Sequence, residues 1–113
     1  MLTIYHNNRC SKSREGVCFL ESLNQPFEII NYFETPFTVE SLTEVIGKLN
    51  CKPIELVRTK EKDWIANFKE KSMTDKDIIK AMVAFPRLIE RPIVMTNNKA
   101  VIARPAEKIN TLL

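Results

Sequence analysis

The strongest constraint in this chain is a strand, a helix and a second strand in its first third. "LTIYH" (2–6), rich in Ile, Thr and Tyr, reads as a short strand. "FEIINYF" (27–33) reads as another, and its mostly apolar run predicts burial on both faces. Between them, from about Ser11 to Leu23, Val17, Leu20 and Leu23 recur at helical spacing. "NQP" ends that helix, because proline disfavours helical geometry in the residue before it. A β-α-β unit of this kind demands parallel pairing with a right-handed crossover.

The end of the chain imposes the opposite pairing. "PIVMT" (92–96), "NN" and "KAVIA" (99–103) read as two strands of a tight antiparallel hairpin. "PAEKINTLL" then reads as a short closing helix with proline in its first turn. The middle is helical. "TPFTVESLTEVIGKLN" (35–50) gives a helix with Thr38 as N-cap and Leu42, Val45, Ile46 and Leu49 as its inner stripe. Residues 52–71 read as two short helices with a break near Thr59. "MTDKDIIKAMVAF" (73–85) is a helix opened by a Thr74–Asp77 capping box, with Ile78, Ile79, Met82 and Phe85 on its apolar face. A four-stranded mixed sheet flanked by helices satisfies both pairings, with a helical insert between the β-α-β unit and the C-terminal hairpin and helix. That α/β arrangement is thioredoxin-like. At 113 residues and 44% apolar, with no repeat or linker, the chain is expected to form a single domain over 1–113.

The lone cysteine of "NNRCSKSRE" sits where the first strand hands over to the helix, and Asn7 and Asn8 supply the turn. If the helix begins near Ser11, Cys10 lies at its N-terminal end, where unpaired backbone N–H groups and the helix dipole stabilise an anion. Arg9, Lys12 and Arg14 add positive charge within a few residues, and His6 can contribute by a hydrogen bond or by protonation. Thiol pKa values fall in such surroundings. Packing alone does not call for that electrostatic setting, so Cys10 is read as a nucleophile. Three residues on stands Ser13, where a redox pair would place a second thiol. No disulfide can close across that turn, and Ser13 is left to donate a hydrogen bond or cap the helix. Cys18 is eight residues along, about 12 Å of helical rise, whereas disulfide-linked Cα atoms lie within about 7 Å. Cys18 is therefore read as a packing residue, Cys51 as inert by default, and the resolving thiol as external.

Composition removes several other classes. A net charge of +3 with no dense Lys/Arg block argues against direct nucleic-acid binding. No apolar run approaches the roughly 18 residues of a membrane span, and "MLTIYH" lacks the layout of a signal peptide. A cytoplasmic monomer is expected. Three cysteines without metal-ligand spacing predict neither a disulfide framework nor a metal site. Two Arg-Pro pairs, Arg91–Pro92 and Arg104–Pro105, bracket the hairpin. Ends of adjacent antiparallel strands lie side by side, and the planar fork of arginine matches tetrahedral oxyanions. Arg58, in the insert, is a third candidate. The bond before Pro92 is expected to be cis by analogy with the fold.

The motifs "IYHNNRCSKSRE", "ELVRTKE" (55–61) and "LIERPIVMTNNKAVIARPAE" (88–107) together resemble the glutaredoxin-coupled arsenate reductase family across essentially the whole chain. The resemblance implies that Cys10 attacks arsenate, that Arg58, Arg91 and Arg104 hold its oxygens, and that His6 helps keep the thiol ionised. It further implies glutathione as the co-substrate that attacks the Cys10–arsenic adduct. Glutaredoxin would then reduce the mixed disulfide as arsenite leaves, with no bound cofactor. The family commonly has proline where this chain has Asn8, and some members carry a longer tail. Two other classes stay open: a non-catalytic regulator that binds RNA polymerase, and a glutathione-linked reductase of another substrate. Ser13 argues against a disulfide switch in the former.

Overall fold

The computed structural model describes residues 2–113. Its strands and helices are β1 (Leu2–His6), α1 (Ser11–Ser22), β2 (Phe27–Asn31), α2 (Val39–Leu49), α3 (Lys62–Asn67), α4 (Asp75–Ala84), β3 (Ile93–Met95) and β4 (Ala100–Ile102). Three 3-10 segments, Pro53–Leu56, Pro86–Leu88 and Ala106–Leu112, complete the order. The chain divides into two compact units: everything up to Thr35 together with Arg91–Leu113, and Pro36–Glu90.

The first unit holds the sheet, in the order β2-β1-β3-β4. β1 pairs with β2 in parallel, Ile4 opposite Ile29, and with β3 antiparallel, Ile4 opposite Val94. β3 pairs with β4 antiparallel, Ile93 opposite Ile102. The mixed four-stranded sheet is thus the one that the two pairings of the sequence require. β1 alternates as a strand with one covered face should: Leu2, Ile4 and His6 are buried, Thr3 and Tyr5 less so. Leu2 and Ile4 join Leu20 of α1, Val94 of β3, Ala103 and Ile109 in one apolar core. Full burial of a side chain such as Ile4 or Leu20 is worth roughly 1.5–3 kcal/mol.

Three expectations need correction here. "FEIINYF" is not buried on both faces: β2 stops at Asn31 and lies at the sheet edge, with Ile29 48% exposed. Asn31 ends the strand because its carbonyl accepts from the N–H groups of Glu34 and Thr35, turning the chain. The last segment is a 3-10 helix, and Pro105 is its N-cap, not part of its first turn. Cys18 is not a packing residue, for it lies exposed on α1.

The second unit is the helical insert, with α2 packed on α4. Both helices open as their sequences predict. Thr38 Oγ1 accepts from Ser41 N–H at 3.0 Å while Ser41 Oγ accepts from Thr38 N–H at 2.9 Å. Thr74 and Asp77 form the same reciprocal pair, 3.1 Å each way. The 52–71 stretch holds the 3-10 segment and α3, with the break between them. A bridge between Val57 and Ile89 joins the two ends of the insert, with Arg58 N–H donating to Leu88 O at 2.7 Å. Trp64, Phe68 and Phe85 form an aromatic run inside this unit, each step 5.6 Å between ring centroids. Among the described residues no helix is long and apolar enough to cross a membrane.

Candidate active site

The site lies in the sheet unit, at the C-terminal end of β1. After His6 the chain turns tightly: Asn7 O accepts from Cys10 N–H at 3.0 Å, and Asn7 Oδ1 accepts from Arg9 N–H at 3.1 Å. Asn7 therefore shapes the turn with both its backbone and its side chain. Cys10 is the N-cap of α1, with extended backbone (φ −97°, ψ 123°), and its carbonyl takes the first helical bond, from Arg14 N–H at 3.1 Å. Its side chain makes no capping hydrogen bond, but the backbone N–H groups of Lys12 and Ser13 stand close enough to the sulfur to favour its ionised form.

Opposing forces act on that sulfur. Burial pushes the Cys10 thiol up, but a hydrogen bond from the Arg91 guanidinium, the two helix-terminal amides and the Arg91 charge outweigh burial and hold it below the ordinary thiol range. The Arg91 charge is itself disfavoured by burial and restored by Cys10 and Tyr32, which face the guanidinium. Arg91 Nε and Nη1 are buried and find no acceptor among the described residues. Two forked donors of this kind, beside a readily ionised thiol, can hydrogen-bond the oxygens of an anion.

The ladders explain how Arg91 arrives there. The β1–β3 register, carried two places beyond Tyr5–Ile93, sets Arg91 across from Asn7. The β3–β4 register, carried on from Ile93–Ile102, sets Arg104 across from Arg91, and Ala103 N–H donates to Pro92 O at 2.9 Å along the way. The two Arg-Pro pairs thus lie side by side, and both bonds are cis; only the one before Pro92 was expected. Arg104 is half-buried.

Ser13 is fully buried, and its Oγ accepts from Asn7 N–H at 3.2 Å, tying the start of α1 to the end of β1. It thus meets the thiol through its backbone amide. His6 is buried at the end of β1. Burial pushes its imidazole below the usual value of 6.5, an interaction with the Ser13 backbone opposes this, and Arg14 reinforces it. Of the two routes open to His6, a neutral ring and hydrogen bonding are what these surroundings favour. Its Nδ1 has no hydrogen-bond partner among the described residues. Arg14 donates from Nη1 to Asn8 O at 3.1 Å, Lys12 pairs with Glu15 at 3.4 Å across an exposed turn, and Arg9 is exposed. The side-chain charge that acts on the thiol is that of Arg91. Arg58 belongs to the insert, where its guanidinium pairs with Glu61 at 3.4 Å and Glu90 at 3.8 Å.

Two residues of the site escape a reading of the sequence. Gly16 leaves room for Pro92: a Cβ there would come within 2.9 Å of Pro92 Cγ and 3.1 Å of Ile4 Cδ1. A glycine inside an otherwise regular helix is the signal that could have pointed to it. Tyr32, the residue after β2, meets Arg91 from the far side of β1. Its signal was position, because ligand sites of open α/β sheets gather beyond the C-terminal ends of strands.

The chain as a whole has relatives among known proteins. The chain is 33% identical to an arsenate reductase of Neisseria meningitidis over 99% of this chain and 97% of the relative. It is 41% identical to the uncharacterized protein YfgD of Escherichia coli over 94% of this chain and 91% of the relative. Its structure superposes on that of an arsenate reductase from Vibrio cholerae with a TM-score of 0.93 at 36% identity, covering 99% of this chain and 97% of that one. Residues 5–112, from β1 through both Arg-Pro pairs to the last 3-10 turn, match the ArsC family. By fold, by the extent of that match and by its relatives, the chain belongs to the ArsC family.

Proposed function

We propose that the chain reduces arsenate to arsenite through a covalent adduct on Cys10, with glutathione and glutaredoxin as the external thiols. The reading rests above all on one feature: a thiol at a helix N-terminus faces a buried guanidinium with two unpartnered donors. Those donors suit the oxygens of a tetrahedral oxyanion, and the thiolate supplies the nucleophile.

Cys10 Sγ attacks arsenic and one arsenate oxygen, protonated, leaves as water. Arg91 offsets the charge on the remaining oxygens, and the amides of Lys12 and Ser13 stabilise the thiolate before attack. Glutathione thiolate then attacks the adduct. Two electrons from the pair of thiols take arsenic from As(V) to As(III); arsenite leaves and a Cys10–glutathione disulfide remains. Glutaredoxin reduces that disulfide and returns Cys10 to thiolate. An external thiol is needed because Ser13 fills the place of a second cysteine and Cys18 lies exposed on a different turn of α1. Arg104, across the hairpin from Arg91, is proposed as the second oxyanion ligand. Arg58 is carried from the resemblance alone, and Arg58→Ala tests it through the apparent affinity for arsenate.

The test is arsenite production by purified protein supplied with arsenate, glutathione, glutaredoxin and their reducing system. Turnover that needs all three components and is abolished in Cys10→Ser is the expected result. Undiminished turnover in Cys10→Ser, or no turnover from the unsubstituted protein, overturns the reading.

A further inference from the structure

Tyr32 has no step in the chemistry above, yet it is only 1% exposed, at the end of an edge strand much of which is open to solvent. The β1–β2 ladder pairs His6 with Asn31, and one further step puts Tyr32 beside Asn7. Arg91 stands across Asn7 on the other side. Two strand spacings of about 4.8 Å each separate the backbones of Tyr32 and Arg91, a gap that a phenol and a guanidinium can close between them. Register and burial bring the two side chains together, and the Tyr32 phenol acts to keep the Arg91 charge.

The phenol is itself held in place. Asn31 Oδ1 accepts from Phe33 N–H at 3.0 Å, Asn31 O accepts from Glu34 and Thr35 N–H, and the Phe33 ring stacks on Tyr32 with centroids 5.0 Å apart. Arg91 is less anchored: a long side chain with two buried donors lacking acceptors. Left to itself, such a side chain pays rotamer entropy to stay in one place.

We propose that Tyr32 is a positioning residue whose hydroxyl holds the Arg91 guanidinium against the Cys10 sulfur, leaving Nε and Nη1 directed at the oxyanion. Only the second half of this rests on the oxyanion reading. Tyr32 acts through Arg91, and its effect appears on the thiol before any arsenate is present.

Tyr32→Phe keeps the ring packing and removes the hydroxyl. Its Cys10 alkylation by iodoacetamide is followed against pH, without and with arsenate, in the native and Arg91→Ala backgrounds. The expected result is an alkylation rate at pH 6.5 lower by about threefold, relative to the high-pH plateau, because the thiolate fraction falls. Protection by arsenate then requires more arsenate than in the unsubstituted protein. In the Arg91→Ala background Tyr32→Phe changes neither quantity. An unchanged pH profile, or an equal effect in both backgrounds, overturns the proposal. A thiol effect confined to the Arg91 background, with no arsenate protection even in the unsubstituted protein, supports the positioning role and removes the oxyanion reading instead.

Discussion

Cys10 and Cys51 are both half-buried, yet their surroundings drive them in opposite directions. Burial acts to raise both. At Cys10 it is outweighed by Arg91 and the helix amides, whereas at Cys51 it is reinforced by the nearby Glu55. The sign is therefore clear: at pH 7 Cys10 carries more thiolate than Cys51. Iodoacetamide at neutral pH, with peptide mapping, is expected to label Cys10 first; equal labelling contradicts the assignment. His6 gives a second expectation, on stability. Its imidazole is held below 6.5 in the folded protein, so the unfolded chain takes up the proton first as pH falls. Its contribution is present above 6.5 and is lost as pH drops from there toward the folded-state value. Thermal unfolding followed from pH 7.5 to 5.5 should show a fall in Tm that His6→Gln removes. A fall of the same size in His6→Gln assigns it to other groups.

Helix α1 positions the thiol at one end, and near its middle it presses on the proline that follows Arg91. Gly16→Ala improves helix propensity by about 1 kcal/mol, but the new Cβ would sit 2.9 Å from a proline ring carbon. The Ile4 methyl can rotate away, whereas the proline ring is held by its backbone, so overpacking of about 1–3 kcal/mol wins. Chemical denaturation should show net destabilisation, with slower Cys10 alkylation as Arg91 shifts; a more stable protein with unchanged alkylation refutes this contact. At this scale much was legible in the sequence. β1, α1 and the capped starts of α2 and α4 are set by local periodicity and by Thr, Ser and Asp at the right offsets. β2 was misread because an apolar run such as "FEIINYF" does not reveal how many neighbours its strand has. Ile29 is 48% exposed although its register partner Ile4 is fully buried. What decides is β2's place at the edge of the sheet and what covers its face there, neither of which the segment itself records.

Taken across the whole fold, β1 gathers the site from three distant parts of the chain. Its own exit loop brings Cys10, β2 brings Tyr32 on one side, and β3 brings Arg91 on the other. Cys10 was legible because a helix N-terminus with nearby cations is a local pattern. Arg91 was legible because the hairpin and its proline mark it. Tyr32 and Gly16 were not, since their importance comes from what the register and the crossover place against them. The account turns on one physical condition: Arg91 and the first amides of α1 hold the Cys10 thiol below its ordinary pKa, and the proposed oxyanion binds in front of it. The most direct measurement is the pH profile of Cys10 alkylation, with and without arsenate, in the unsubstituted protein and in Arg91→Ala. The predicted result is a midpoint below that of an ordinary thiol, moved upward by Arg91→Ala, with arsenate slowing alkylation only while Arg91 is present. An ordinary midpoint indifferent to Arg91, with arsenate of no effect, would contradict it.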